Sequence, residues 1–173
     1  SGSCAWLLVH KSIAKSGTIM ETATATARTA FHDLCLSNTD TAGAEMTPLM
    51  DTDSEKLMAE GVATGVENFE AFLAEAAWQR EDIDRSVCHQ VGVRHRTTML
   101  QALDMSPDRY ITTFETLGNT SSVALPLTLA HAAQSGRLGP GTKVGMFGIG
   151  SGINSVMIGA RWGRTPVAGY EPR

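Results

Sequence analysis

"KVGMFGIGSGINSVMIGARW", residues 143–162, carries the reading that decides the fold. Two apolar runs, 143–150 and 153–162, are parted only by Ser151 and Gly152. They read as two strands joined by a tight glycine loop, an antiparallel hairpin. Immediately upstream, residues 121–135 read as a helix. Pro126 sits near its first turn, where a missing N–H does limited harm, and Gly136 can end it in a left-handed cap. Further back come "YITTF", residues 110–114, as a strand, and a helix over 93–103 that breaks before Pro107. A short strand ends at His89. Residues 51–78 form a long amphipathic helix, in which Leu57, Val62, Val66, Phe69, Leu73 and Ala76 recur at helical steps. Thr52 and Glu55 fit a capping box at its start. Gly61 and Gly65 lie inside it; each costs about 1 kcal/mol against Ala, which close packing against another helix would explain. Residues 32–50 read as loop, 18–29 alternate Thr and Ala as a strand does, and 4–10 read as a further strand. Strands alternating with helices, closed by a hairpin, predict an α/β layered fold: a mixed sheet with helices on both faces.

The 173 residues suffice for one domain with a real core. With 42% hydrophobic and 18% charged residues, the composition is that of a soluble globular chain. The net charge of -4 argues against nucleic acid or an anionic membrane as the main partner. No apolar run approaches the roughly 20 residues that span a bilayer, so no membrane span is expected. Cys4, Cys35 and Cys88 are widely spaced and suit a reducing, cytoplasmic compartment better than a disulfide framework. Without a CxxC pair, no zinc site is expected.

Three places could carry chemistry. His89 ends a strand, where α/β folds present functional side chains. It could donate to a carbonyl oxygen or act as a base; equally, it could be a structural His bonded to the backbone. Asn119, in "LGNTSS", also lies at a strand-to-helix turn, with an N-cap role as the plain alternative. Two such turns often open on one sheet edge, so both side chains could meet one ligand. In "FGIGSGIN", Gly148, Gly150 and Gly152 allow close approach of a ligand to the backbone. A dinucleotide fingerprint needs G-x-G-x-x-G before a helix; here the spacing is G-x-G-x-G before a strand. That favours a hairpin whose amides hold an oxyanion, or a plain hairpin. His10 and His32 have no comparable context; His95 and Arg96 read as solvated helix residues, His131 as lying on a polar helix face, and the methionines as core filling. None of the three cysteines sits in a recognisable nucleophile turn.

The order strand–His89-Gln90–helix, Gly118-Asn119-Thr120-Ser121–helix and glycine-loop hairpin resembles the C-terminal half of the thiolase-fold condensing enzymes. The likeness is to β-ketoacyl-acyl-carrier-protein synthase III and to its relative in head-to-head olefin biosynthesis, which condenses two long-chain acyl-CoA molecules. It runs almost throughout 89–162 and is one of layout over 13–88. On this reading, residues 1–12 are the last strand of the family's N-terminal half, 13–162 the C-terminal thiolase-like domain and 163–173 an irregular tail. Because the chain opens almost at once in an apolar strand, something is expected upstream of it.

The resemblance implies a mechanism. A Cys at the N-terminus of a buried helix in the family's first half is acylated; a second acyl thioester becomes an enolate or carbanion and attacks. His89 and Asn119 match the family's active-site His and Asn. The Ser151 N–H, beside Gly150, matches an oxyanion-hole position, and Gly148 and Gly152 belong to the acyl-substrate loop. No metal and no cofactor are implied beyond an acyl-CoA or acyl-carrier-protein thioester as substrate. His89-Gln90-Val91-Gly92 departs from the synthase III pattern His-Gln-Ala-Asn and is closer to the olefin-pathway relative. The expected function is therefore an acyltransferase of fatty-acid metabolism, inactive without a Cys-bearing half on another chain or a removed segment. A tightly held heteromeric partner, further dimerisation and an uncovered apolar helix face are expected with it. The alternatives are a non-catalytic partner subunit stabilising a related condensing enzyme, and a standalone ligand-binding domain.

Overall fold

The computed structural model describes residues 2–14, 16–38 and 49–169. Its strands are β1 (Ile19–Ala27), β2 (Cys35–Asn38), β3 (Leu49–Thr52), β4 (Arg85–Cys88), β5 (Tyr110–Ile111), β6 (Lys143–Gly150) and β7 (Asn154–Arg161). Its α-helices are α1 (Ser54–Ala76), α2 (Val93–Ala102), α3 (Phe114–Leu117) and α4 (Ala124–Gln134). Five strands form one sheet in the order β1-β7-β6-β4-β5. The β1–β7 and β7–β6 pairs are antiparallel, whereas the β6–β4 and β4–β5 pairs are parallel. The predicted mixed sheet and C-terminal hairpin are therefore present.

Strand alternation divides the core in two. Cys88, Phe147 and Met157 face α1 and α2, where Phe69, Phe72, Trp78 and Leu100 fill the space. Val87, Val144, Met146 and Ala160 face α4, with Leu129 and Ala132. Phe147 meets Phe69 and Phe72 edge-on, with ring centroids 5.5 and 5.6 Å away, a favourable arrangement for aromatic quadrupoles. Helices thus cover both faces, as expected.

In α1, the residues Gly61, Gly65, Phe69 and Phe72 form one buried stripe. A Cβ at Gly65 would lie 2.7 Å from the Met99 methyl of α2, so this glycine does mark a close helix contact. Gly61 instead faces Ile149 of the sheet. The cap also differs from the expected Thr52–Glu55 box: Asp53 accepts from the Lys56 N–H at 3.1 Å, while Thr52 belongs to β3 and its hydroxyl turns to Cys35. α1 ends before Trp78 because Ala77 takes a left-handed conformation, letting Trp78 N–H close on the Leu73 carbonyl at 3.0 Å. Gly136, with φ of 71°, ends α4 as predicted.

Other expectations need correction. Residues 2–10 form no strand and are exposed throughout, Leu7 by 90%. A strand needs a ladder partner, and this run pairs with neither sheet edge, β1 or β5. The uncovered apolar surface is accordingly not a helix face: Trp6, Leu7, Leu8, Val9 and Ile13 supply much of it. "YITTF" is a strand only over Tyr110–Ile111. The Thr112 hydroxyl then accepts the Phe114 N–H at 3.1 Å and turns the chain into α3. Part of the expected loop over 32–50 is regular, since β2 and β3 pair antiparallel; residues 39–48 lie outside the described residues. Residues 163–169 carry no helix or strand, as expected of the tail, but Arg164 N–H donates to the Ser16 carbonyl at 2.7 Å. Among the described residues no helix is long and apolar enough to cross a membrane.

Candidate functional site

The parallel strands β4 and β6 end side by side, and the polar turns lie at that edge. His89 directly follows β4 and is held by its backbone N–H, which donates to the Phe147 carbonyl of β6 at 3.0 Å. Here the sheet opens into a cleft of about 790 Å³ lined by His89, Gly148, Gly150, Ser151 and the Ser121–Val123 turn. That volume is the scale of a small-molecule site. The glycines explain why it is open: Gly148 and Gly150 lie on the α4 face, like Met146, and present only backbone. A Cβ at Gly150 would meet nothing within 4 Å.

His89 is half-buried, and the burial holds its pKa below 6.5. At neutral pH it is an uncharged imidazole, able to donate one N–H and accept at the other nitrogen. Asn119 is exposed and does not line the cleft; it stands next but one to Ser121, which does. Its Oδ1 accepts the Ser121 N–H at 2.9 Å. The plain N-cap-like reading therefore holds for the oxygen, and the amide nitrogen is the group on this side chain that can donate. Ser151 and Gly150 are at the exposed tip of the hairpin, in the cleft wall. Gly152 is not among the lining residues; with φ of 140° it serves the turn itself. The structure thus brings His89, Gly148, Gly150 and Ser151 together, and Asn119 only through its neighbour.

Behind His89, on the opposite face of the sheet, lies a second, small cavity of about 30 Å³. His89, His95, Arg96, Tyr110 and Cys88 contribute to its walls. The solvated reading of His95 and Arg96 is incorrect. His95 is half-buried, and its pKa is lowered first by burial and then by repulsion from His89. Arg96 pairs with Glu115 at 2.6 Å and lies over the Tyr110 ring, 5.9 Å from its centroid. The missed signal is position: His95 is in the first turn of a helix that begins four residues after His89, so it stays at the same sheet edge.

The cysteines have three different surroundings. Cys88 is partly buried, and desolvation pushes its pKa up to about 12, leaving an inert thiol. Cys35 faces Thr52 in the small β2–β3 sheet. Cys4 does line the cleft, from the irregular exposed segment rather than from a helix terminus. Among the described residues no group of three His, Cys, Asp or Glu could hold a metal ion.

The family profile for the C-terminal part of 3-oxoacyl-[acyl-carrier-protein] synthase III matches residues 73–162, more than half of the chain. The chain belongs to this family. It is 39% identical over 132 residues to the acyl-CoA:acyl-CoA alkyltransferase of Shewanella oneidensis, covering 76% of this chain and 38% of that protein. It is 32% identical over 113 residues to β-ketoacyl-[acyl-carrier-protein] synthase III 2 of Streptomyces coelicolor, covering 64% of this chain and 32% of that protein. A variant of Xanthomonas campestris OleA, solved with lauric acid and lauroyl-CoA bound, superimposes with a TM-score of 0.79 at 26% identity, over 88% of this chain and 43% of that one. The fold is thus thiolase-like, as the resemblance implied, and the chain spans well under half the length of these relatives.

Proposed function

We propose that this chain supplies the enolate-stabilising and oxyanion-binding half of a site that condenses two acyl thioesters to a β-keto product. The observation that carries this reading is the single cleft walled by His89, the hairpin tip at Gly150 and Ser151, and the turn that follows Asn119. A base removes the α-proton of one thioester, and the charge gathers on its carbonyl oxygen. The N–H of neutral His89 and the amide nitrogen of Asn119 donate to that oxygen. The enolate carbon then attacks an acyl group carried on a cysteine. A C–C bond forms, and charge passes to the second carbonyl oxygen, which the Ser151 N–H receives beside Gly150. Collapse expels the cysteine thiolate and releases the β-keto thioester. Gly148 leaves the cleft wall open for the acyl chains, and Gly152 shapes the turn that holds Ser151 beside them.

The nucleophilic cysteine comes from another chain or segment. In support, Cys88 is desolvated, Cys35 is not among the residues lining the cleft, and Cys4 lines it from an exposed irregular segment rather than from a helix N-terminus. Acyl-CoA is favoured over a carrier protein as substrate by Val91-Gly92 after His89-Gln90, by the name of the Shewanella relative and by lauroyl-CoA in OleA. Such an enzyme fits a heteromeric, cytoplasmic assembly. The test is native mass spectrometry of the assembly followed by incubation with lauroyl-CoA. The expected result is an acyl group on a cysteine of a co-purifying chain, unaffected by Cys4→Ser. An acyl thioester on Cys4 itself would end the divided-site reading. Unchanged turnover in His89→Ala would favour a stabilising, non-catalytic subunit.

A further inference from the structure

Gln90 is 2% exposed, yet all the hydrogen-bonding capacity of its amide is used. Nε2 donates to the Cys88 carbonyl at 2.8 Å and to the Tyr110 hydroxyl at 2.9 Å. Oε1 accepts from the Thr112 hydroxyl at 3.0 Å and from the Thr113 N–H at 3.4 Å. These bonds join the end of β4, β5 and the turn after β5. From Thr113 the connection continues both ways. Its hydroxyl bonds that of Thr128 in α4 at 2.6 Å, and its carbonyl accepts the Leu117 N–H at 2.8 Å. The short helix started by that bond delivers the chain to Gly118 and Asn119.

We propose that Gln90 is a positioning residue that fixes the turn bearing His89 relative to the turn leading to Asn119. The inference rests on the reading of those two side chains as joint donors to one oxygen. His89 is already tied to β6 by its own N–H. Gln90 supplies the second tie, across to the segment that ends in Asn119. An acid could not replace it, because an ionised oxygen would face the Cys88 carbonyl; an apolar chain would take this partner from the buried Tyr110 hydroxyl and Thr113 N–H, while the Thr112 hydroxyl would keep Arg96 and Glu115.

The test compares amide hydrogen exchange in the parent chain, Gln90→Met and Tyr110→Phe. The second variant keeps the ring in the core and removes only one partner of Gln90. In Gln90→Met, amides 89–91 and 118–121 should both exchange about tenfold faster, a shift of about one RT ln 10 in local opening, while the β6–β7 ladder is unchanged. Tyr110→Phe should accelerate the same two turns to a smaller extent. A uniform rise across the whole sheet, or acceleration at only one turn, overturns the proposal. If Gln90→Met does not fold, Tyr110→Phe decides alone, and no acceleration at the two turns overturns it. In the assembled enzyme, Gln90→Met should lower kcat by about 10²-fold with little change in KM, the signature of misplaced donors. If the parent assembly does not condense thioesters, the functional reading fails, and the exchange result still decides whether Gln90 couples the turns.

Discussion

His89 and His95 border the same small cavity, so a proton on one opposes a proton on the other. Replacing His89 with Gln should therefore raise the pKa of His95 towards 6.5 without reaching it, because burial, the larger cause, stays in place. Imidazole titration by NMR reads this directly; an unmoved His95 would refute the coupling. On the proposed condensing role, losing the His89 donor should cost the assembly about 10²–10³ in turnover. The place of His89 at the end of β4 was legible from the short strand-like run before it, and that pattern suits a structural His as well as a functional one. His95 was not legible, because helical periodicity says which residues share a helix face but not which face meets the sheet edge. Asn119 was legible as a residue and ambiguous as a donor, since the same side chain also serves the backbone at Ser121.

Elements were readable where pattern and partner coincide. The Thr-Ala alternation of β1 has β7 to pair with, and the stripe of α1 has the sheet to cover. The run at 4–10 has the pattern of a strand without a partner, and pattern alone cannot supply one. Glycines separate in the same way. At Gly65 the obstructing atom is the flexible end of Met99. Gly65→Ala should thus be neutral or stabilising, because about 1 kcal/mol of helix propensity offsets a small side-chain shift. At Gly159 of β7, a Cβ would lie 2.8 Å from Thr22 and 3.0 Å from the Phe72 ring. Gly159→Ala should destabilise by about 1–3 kcal/mol through overpacking. Urea midpoints of the two variants should move in different directions or by clearly different amounts.

For the molecule as a whole, the two lowered histidines set an acid-side limit. Below pH 6.5 the unfolded chain takes up protons that folded His89 and His95 resist. Stability is therefore retained above 6.5, falls as the pH drops from 6.5 to the lowered folded values, and levels off below them. Thermal melts from pH 7.5 down to about 5 should show a falling Tm, less steeply in His95→Gln; a flat profile would contradict the burial of both rings. The layered architecture was legible from the alternation of elements and the hairpin. The cleft itself was not, because it depends on Gly148 and Gly150 falling on the same side of β6 as Met146. At those two positions the wall is bare main chain, so evolution or an engineer can only shrink the cleft there, with any substitution. Accommodation of bulkier guests has to come from the positions that do present side chains, such as Val123, Leu125 and Val156, and diversity introduced at 148 and 150 can only select for smaller ones.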